Sequence, residues 1–223
     1  MKIIDCQQGT AEWKQARCGV VTASCLDKII TPSTGKLSAA APKYLARLAA
    51  EWFIGEPMED YVSPYMVRGT DLEAEARLWY SFDSGHDVQQ VGFIVRDDGL
   101  VGCSPDGLIG DDGGLELKNP GIEQHMVYVL NDRLLVSDYR TQVQGCMFVT
   151  GRKWWDLCSF SPVLPSIRVR VERDEEFIAA MAAAVDQFVE RLEEAKRKLA
   201  PMKAERDRSL AAAMETAEAS HGF

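Results

Sequence analysis

Apolar residues recur at helical spacing in several segments of the chain. An apolar residue at every third or fourth position places those side chains on one face of a helix. Proline at the start of such a segment and glycine after its end, as at Pro42 and Gly55, mark its limits. We predict helices over residues 10–17, from near Ser24, and over residues 42–54, 70–82, 137–150 and 174–199, the last stopped by Pro201.

Between residues 91 and 118 the pattern changes to short apolar runs separated by turn-forming residues. Such runs are typical of a meander of strands. Further strands are predicted over residues 153–160 and 167–171. Helices flanking a central mixed β-sheet give an α/β, or α+β, domain, which we place at residues 1–200. Residues 201–223 are charged and rich in alanine, and we expect a frayed or partner-dependent tail there.

One predicted hairpin, CSPDGLIGDDGGLELKNP at residues 103–120, concentrates charge in a short stretch. From Leu115 to Lys118 the side chains alternate apolar, acidic, apolar and basic. A strand therefore places Glu116 and Lys118 on one face and the leucines on the other. The glycine-rich turn before this strand lets Asp106 fold back beside Glu116. We expect Asp106, Glu116 and Lys118 to share one site.

The composition, with 46% hydrophobic residues among 223, indicates one globular domain with a substantial core. No stretch has the length and apolarity of a signal peptide or a membrane span, so we expect a soluble cytoplasmic protein. The six cysteines form no CxxC pair and the three histidines lie far from them, so zinc and iron–sulfur ligand sets are not present. Most of the five tryptophans have spacings that favour core packing over base stacking.

The net charge of −9 argues against binding nucleic acid through bulk positive charge. Clustered carboxylates can instead hold a divalent cation, so this charge does not exclude an enzyme that acts on nucleic acid. Asp106 and Glu116 supply oxygen ligands for such an ion. Lys118 is placed to act on an attacking water or to stabilise charge that develops on a phosphate.

The same three residues also fit a structural interpretation. An aspartate in a turn and a Glu–Lys pair on one strand face are common, and such a surface ion pair contributes about 0.5 kcal/mol. Pro105-Asp106 followed by Glu116-Leu117-Lys118 resembles the PD-(D/E)xK nuclease signature. On the triad alone, the structural and the nuclease interpretations both stay open.

Four stretches of the chain together resemble the lambda-type exonuclease family, also called YqaJ-like viral recombinases. They are GTAEWKQARCGVVTAS at 9–24, RGTDLEAEAR at 68–77, the hairpin at 103–120, and YRTQVQGCMFVTGRKWW at 139–155. They occur in the order found in the family, and the resemblance covers residues 7 to 195. It implies a PD-(D/E)xK nuclease core and a metal-dependent enzyme that digests one strand of double-stranded DNA from its 5′ end. The product is a 3′ overhang for phage-type recombination.

The resemblance also assigns roles to residues of the hairpin and its surroundings. It implies that Mg²⁺, which Mn²⁺ can replace, is held by Asp106, Glu116 and the backbone carbonyl of Leu117. It implies that Lys118 and Gln142 act on the attacking water.

Glu73 in the second stretch matches a glutamate of the family that is carried on a helix and assists at the metal or the water. The alternative is structural, because Thr70 and Glu73 also have the spacing of a capping box at a helix start. Gln142 has a similar alternative, since it and Gln144 also suit exposed helix positions.

The resemblance places Arg17, Ser24 and Ser104 around the phosphate at the 5′ end of the digested strand. A guanidinium binds phosphate oxygens in bidentate fashion, and Ser24 lies at a predicted helix start, where an anion is favoured. The alternatives are a helix-dipole partner for Arg17 and an N-cap role for Ser24. Met66 is the candidate for an apolar wedge at the DNA end. Lys36 is the nearest cation in a loop where no arginine is found.

The resemblance further implies a ring-shaped homotrimer around double-stranded DNA and a separate single-strand DNA annealing protein as partner. Two other function classes stay open. One is an endonuclease of the same superfamily that cuts internally, and the other is a non-catalytic module that binds DNA ends. An incomplete triad would favour the module, and the triad is complete in this chain.

Overall fold

The computed structural model describes residues 1–31, 37–58 and 64–220, with side chains for all of these except 64–70 and 215–220. The strands in this part are β1 Lys2–Ile4, β2 Val21–Thr22, β3 Phe93–Val95, β4 Val101–Cys103, β5 Gly107–Ile109, β6 Gly113–Lys118, β7 Trp154–Ser159 and β8 Ile167–Glu172. The helices are α1 Ala11–Ala16, a 3₁₀ helix Ala23–Lys28, α2 Ala41–Ile54, α3 Pro64–Ser84, α4 Ile122–Leu130, α5 Asp132–Thr150 and α6 Glu175–Ser220. Within the described ranges, none of the helices is long and apolar enough to cross a membrane.

The strands form two four-stranded mixed sheets, in the orders β1-β3-β4-β2 and β5-β6-β7-β8. The pairs β2–β4 and β6–β7 are parallel, and the other neighbours are antiparallel. Parallel neighbours need a long connection, which α2 and α3 provide for the first pair and α4 and α5 for the second. The predicted α/β class is confirmed, although the strands are divided between two sheets instead of joined in one.

The first helices agree with their sequence signals in part. The Thr10 hydroxyl accepts a hydrogen bond from the backbone N–H of Trp13 and so caps α1. Gly55 ends α2 with φ +82°, a left-handed conformation that glycine adopts without strain. Near Ser24 the chain forms a 3₁₀ helix whose N-cap is Thr22. The N-cap role considered for Ser24 is therefore wrong.

Helix α3 begins at Pro64, well before the predicted start near Thr70. Thr70 consequently lies inside the helix. A capping box needs its first residue at the N-cap, outside the helical backbone, so the capping-box interpretation of Thr70 and Glu73 is wrong. Ala76 and Tyr80 of α3 are fully buried and pack α3 against the second sheet. This contact fixes the helix that carries Glu73.

The sequence pattern missed α4 and placed the start of α5 too late. Asn131 separates the two helices, with extended backbone at φ −152° and ψ 92°. His125 is fully buried on α4. Its Nδ1 lies 2.7 Å from the Ser159 hydroxyl, and its Nε2 lies 3.0 Å from the Pro165 carbonyl. These contacts attach α4 to β7 and to the loop that follows it.

Helix α6 continues through Pro201 to Ser220, so the predicted stop at Pro201 is wrong. Proline in a helix removes one backbone hydrogen bond and costs about 3 kcal/mol. Contacts with α2 on both sides of Pro201 offset this cost. Before it, the ring of Phe188 stacks on Tyr44 of α2, and after it, Arg206 donates a hydrogen bond of 3.2 Å to the Phe53 carbonyl.

Strand β6 lies inside the second sheet and has two different faces. Leu115 and Leu117 are buried in a cluster with residues of α3, whereas Glu116 and Lys118 point to the other face, toward α5. Gly114, the second residue of this strand, lies under the buried indole of Trp155. A Cβ there would lie 2.4 Å from the Trp155 ring, so only glycine allows this close packing.

Candidate active site

The β5–β6 hairpin brings Asp106 beside Glu116, as its alternation predicts. The strands are antiparallel with Gly107 opposite Leu115, which places Asp106 opposite Glu116 in the same register. The Asp106 N–H donates to the Leu115 carbonyl at 3.2 Å. Its carboxylate accepts a hydrogen bond of 2.6 Å from the Leu117 N–H. Backbone contacts therefore fix the aspartate directly before β5.

Glu116, Lys118 and Gln142 form a closed set of hydrogen bonds on the face of β6 opposite α3. Lys118 Nζ lies 2.7 Å from Glu116 Oε1 and donates to Gln142 Oε1 at 3.1 Å. Gln142 Nε2 donates to Glu116 Oε1 at 2.5 Å. The Lys118 ammonium also lies 4.4 Å from the centre of the Tyr139 ring. Helix α5, which carries Gln142 and Tyr139, thus completes this set.

The structure shows which of the two glutamines of α5, Gln142 or Gln144, lies at the site, a choice that the sequence pattern left open. Gln144 is buried on α5, where its amide donates to the Glu172 carbonyl at 2.8 Å and accepts from the Asp174 N–H at 3.0 Å. These bonds hold the chain between β8 and α6. Gln144 therefore has a structural position, and Gln142 is the glutamine at the carboxylates.

The carboxylates of this site lie in a poorly solvated environment. The side chains of Glu116 and Lys118 are 4% and 20% exposed, so the interpretation as a surface ion pair is wrong. Loss of solvent, together with the charge of Glu116, raises the pKa of Asp106 well above its ordinary value. Burial acts to lower the pKa of Lys118, but the charges of Glu116 and Asp106 outweigh it and raise that pKa. The metal-free site therefore favours a protonated lysine.

The donor set fits a divalent cation that needs few protein ligands. Among the side chains that the structure describes, no three His, Cys, Asp or Glu are grouped to hold a metal ion. Mg²⁺ is commonly held by one or two carboxylates and keeps several waters. Glu116 Oε2 is buried and has no hydrogen-bond partner in the described part of the chain, as expected for a metal ligand. The Leu117 carbonyl points to the same side of β6 as its N–H, which faces Asp106.

Glu73 lies on α3 and is connected to this site through Arg77, a residue that the sequence analysis missed. Its carboxylate pairs with the guanidinium of Arg77, one helical turn further on. Arg77 Nε in turn donates to the Asp106 carbonyl at 3.4 Å. Glu73 and Asp106 line one pocket. The spacing of Glu73 and Arg77 indicates an ion pair on the helix, but nothing local in the sequence indicates the contact with Asp106.

The residues predicted around the 5′-phosphate are partly brought together. Arg17 Nη1 and Trp13 Nε1 both donate to the Ser104 hydroxyl, at 2.9 and 2.8 Å. The Arg17 guanidinium also lies 4.2 Å from the centre of the Trp13 ring. Ser24 is exposed, and its hydroxyl lies 3.4 Å from that of Thr22. Because β2 and β4 are parallel neighbours, Ser24 and Ser104 follow their strands at the same edge of the first sheet.

Trp13 is the second site neighbour that the sequence analysis missed. Its spacing suggested core packing, whereas the ring is half-buried between Arg17 and Ser104. The side chain of Met66, the candidate wedge, lies outside the described residues, as does Lys36.

Comparisons with known proteins agree with the resemblance. The model of the YqaJ-like viral recombinase domain matches residues 12–153. The structure of an alkaline exonuclease (LHK-Exo) from Laribacter hongkongensis is 33% identical in sequence, with a TM-score of 0.78 over 88% of this chain and 99% of that one. The same values hold for LHK-Exo in complex with dAMP. No curated protein matches the chain.

A phage-related exonuclease from Haemophilus somnus 129PT is 17% identical, with a TM-score of 0.64 over 82% of this chain and 96% of that one. At this identity the likeness concerns the fold alone. The mixed α/β fold of this protein is thus the fold of these exonuclease structures. The chain belongs to the family of YqaJ-like viral recombinases, because the family model covers more than half of it.

Proposed function

We propose that this protein is a Mg²⁺-dependent exonuclease that digests one strand of double-stranded DNA from a 5′-phosphorylated end. Digestion in this direction leaves a 3′ single-strand overhang for recombination. The observation that carries the proposal is the poorly solvated set of Asp106, Glu116, Lys118 and Gln142 on one hairpin and one helix. The 33% identity to an alkaline exonuclease supports the same chemistry.

Asp106, Glu116 and the Leu117 carbonyl would hold Mg²⁺, for which Mn²⁺ can substitute. When bound, the cation supplies positive charge that stabilises the reacting phosphate and lowers the pKa of a coordinated water. Loss of solvent and the charge of Glu116 raise the pKa of Asp106, and the neighbouring negative charge of Glu116 favours binding of such an ion. Glu73 lies near enough to line the same pocket as Asp106, and Arg77 holds it there.

Lys118 and Gln142 would act on the attacking water and on the phosphate. Gln142 can donate and accept hydrogen bonds, so it can orient a water beside Glu116. A lysine that the carboxylates keep protonated is suited to stabilising negative charge on the phosphate. Water then adds to phosphorus and the bond to the 3′ oxygen breaks. The products are a 5′-mononucleotide and a strand with a new 5′-phosphate.

Incubation with Mg²⁺ and either linear or closed-circular duplex DNA tests the activity. We expect loss of the linear form only. Lys118→Ala should slow digestion by about 10²- to 10⁴-fold, the usual contribution of a positioned acid–base group. Lys118→Arg should not restore it, because a planar guanidinium is larger than an ammonium and cannot place its charge at the same point between Glu116 and Gln142. Lys153→Ala, on an exposed lysine beside the same hairpin, is the matched control and should retain full activity.

The other outcomes of this assay select other functions. Loss of both DNA forms would identify an endonuclease. Loss of neither form would favour a module that binds DNA ends without cutting. Near-normal turnover of Lys118→Ala would show that the residue assignment is wrong even if the activity is present.

The proposed polarity rests on a phosphate pocket formed by Arg17, Ser24 and Ser104. Duplexes with 5′-hydroxyl ends should be digested much more slowly than duplexes with 5′-phosphates, because the guanidinium has no anion to bind. Arg17→Ala should remove most of this preference, whereas Lys14→Ala, on the same helix, should keep it. Equal rates of the wild type on both ends would exclude the pocket from the mechanism.

A further inference from the structure

The ammonium group of Lys118 has an aromatic neighbour that the proposed mechanism does not use. Nζ lies over the ring of Tyr139, 4.4 Å from the ring centre. A cation at this distance from a ring face is attracted by the ring, and more strongly where solvent is excluded. The Lys118 side chain is only 20% exposed, so water weakens this attraction little. The ring therefore contributes to the position of the ammonium together with Glu116 and Gln142.

Helices α4 and α5 hold the Tyr139 ring in this place. Tyr139 and Gln142 are three residues apart on α5, so their side chains lie on the same face of the helix. Tyr128 of α4 meets the Tyr139 ring edge-on, with the ring centres 6.5 Å apart and the planes at 68°. Tyr128 is 3% exposed, and its hydroxyl donates to the Asp138 carboxylate at 2.8 Å. The Tyr139 ring thus contacts a fixed tyrosine as well as the lysine, which restricts its rotation.

An aromatic ring differs from a carboxylate as the partner of a cation. The ring attracts the ammonium through its quadrupole and carries no net charge. A carboxylate in the position of Tyr139 would attract the ammonium too, but it would also repel a DNA phosphate. The ring can therefore hold Lys118 while leaving the positive charge of the lysine available to the phosphate.

We propose that Tyr139 is a positioning residue whose ring face holds the ammonium of Lys118 where it acts on the phosphate, an inference that rests on the exonuclease function proposed above. The role belongs to the face of the ring and not to the hydroxyl group. Tyr128 supports it by orienting the ring.

The first test changes the ring face and measures release of nucleotides from a linear duplex with Mg²⁺ in a single turnover. Tyr139→Leu should be about tenfold slower, the effect of losing one poorly solvated cation–π contact. Tyr139→Phe keeps the ring and should restore the rate. Mono-, di- and trifluorinated phenylalanine at position 139 keep the shape of the ring but weaken its attraction for a cation, so the rate should fall with each added fluorine.

Phe177 provides the matched control for fluorination. Its ring lies 4.3 Å from the Arg140 guanidinium, in a second cation–π contact that does not involve Lys118. Fluorinated phenylalanine at position 177 should leave the rate unchanged.

The second test measures thermal unfolding in a chelator and does not depend on nuclease activity. Fluorination at position 139 should lower the melting temperature when Lys118 is present. It should have no such effect in Lys118→Met, which keeps the length of the side chain and removes its charge. The two changes together form a double-mutant cycle for the contact between the ring and the ammonium.

The outcomes separate this proposal from the exonuclease function. If the phenylalanine and trifluorinated variants digest DNA at equal rates, the exonuclease function stands and the role of Tyr139 is wrong. If the wild type does not digest the duplex, the exonuclease function is wrong, and the positioning role with it. If fluorination lowers the melting temperature equally with Lys118 and with Lys118→Met, the ring does not hold the ammonium and the proposal is wrong.

Discussion

The surroundings of Asp106 disfavour the ionised form of its carboxyl group. Loss of solvent and the neighbouring Glu116 both raise its pKa above the ordinary value of 3.8. A carboxyl group with a raised folded-state pKa contributes stability that is fully present below its ordinary pKa. That stability is lost as the pH rises through the folded-state pKa. Ionisation of Asp106 in the metal-free protein therefore opposes folding.

We predict that Asp106→Asn abolishes nuclease activity and raises the melting temperature of the metal-free protein. The asparagine side chain can still accept the hydrogen bond from Leu117 N–H, but it carries no charge. The difference in melting temperature between variant and wild type should grow as the pH rises from 4 toward neutrality, since only the wild type loses stability there.

Thermal unfolding in a chelator and in Mg²⁺ checks this prediction. Mg²⁺ should raise the melting temperature of the wild type, because it binds the folded state, and should have little effect on Asp106→Asn. Equal melting temperatures of the two proteins in chelator at all pH values would contradict the argument.

At the scale of elements, the hairpin that carries the carboxylates depends on Arg152. This residue follows α5 and is 9% exposed. Its Nη1 donates to the carbonyls of Ile109, Gly110 and Gly113, at 3.2, 2.8 and 2.6 Å. Burial lowers the pKa of Arg152 relative to a free guanidinium, and Asp111 and Asp112 of the turn act against this shift. One cation thus links the β5–β6 turn to the end of the helix that carries Gln142.

We predict that Arg152→Ala lowers the free energy of unfolding by about 2 kcal/mol, the effect of removing a charged donor from buried carbonyls. Nuclease activity should fall with it, because the turn sets the register of Asp106 and Glu116. Chemical denaturation measures the stability. Lys153→Ala is the control, since Lys153 and its partner Asp112 are 71% and 52% exposed, and such pairs contribute about 1 kcal/mol or less. Equal losses of unfolding free energy in Arg152→Ala and Lys153→Ala would contradict the role of Arg152.

At the scale of the whole molecule, the net charge of −9 opposes binding to DNA over much of the surface. A closed ring confines a duplex by topology as well as by charge, so we predict a homotrimer. Sedimentation equilibrium at micromolar concentration should give three times the 24.8 kDa mass of the chain. A mass close to that of one chain would contradict the ring. The single-strand DNA annealing protein, like the trimer, is implied by the family resemblance and stays a prediction.

The sequence by itself determined what depends on neighbours along the chain. The alternation from Leu115 to Lys118 predicted the faces of β6, because side chains alternate in any strand. The glycine-rich turn predicted that Asp106 returns beside Glu116, since a hairpin is a local structure. The family resemblance added Gln142, which the structure places at 2.5 Å from Glu116.

Only the tertiary structure decided the features that depend on contacts between distant segments. Local signals placed a helix start near Thr70 and a helix stop at Pro201. Instead α3 begins at Pro64, and α6, which contacts α2 on both sides of Pro201, continues to Ser220. Likewise, the contact of Arg77 with Asp106 joins two segments, and nothing in the sequence of either segment predicts it. Packing energies of several kcal/mol exceed the propensity of a single residue, so they override local preference wherever the two differ.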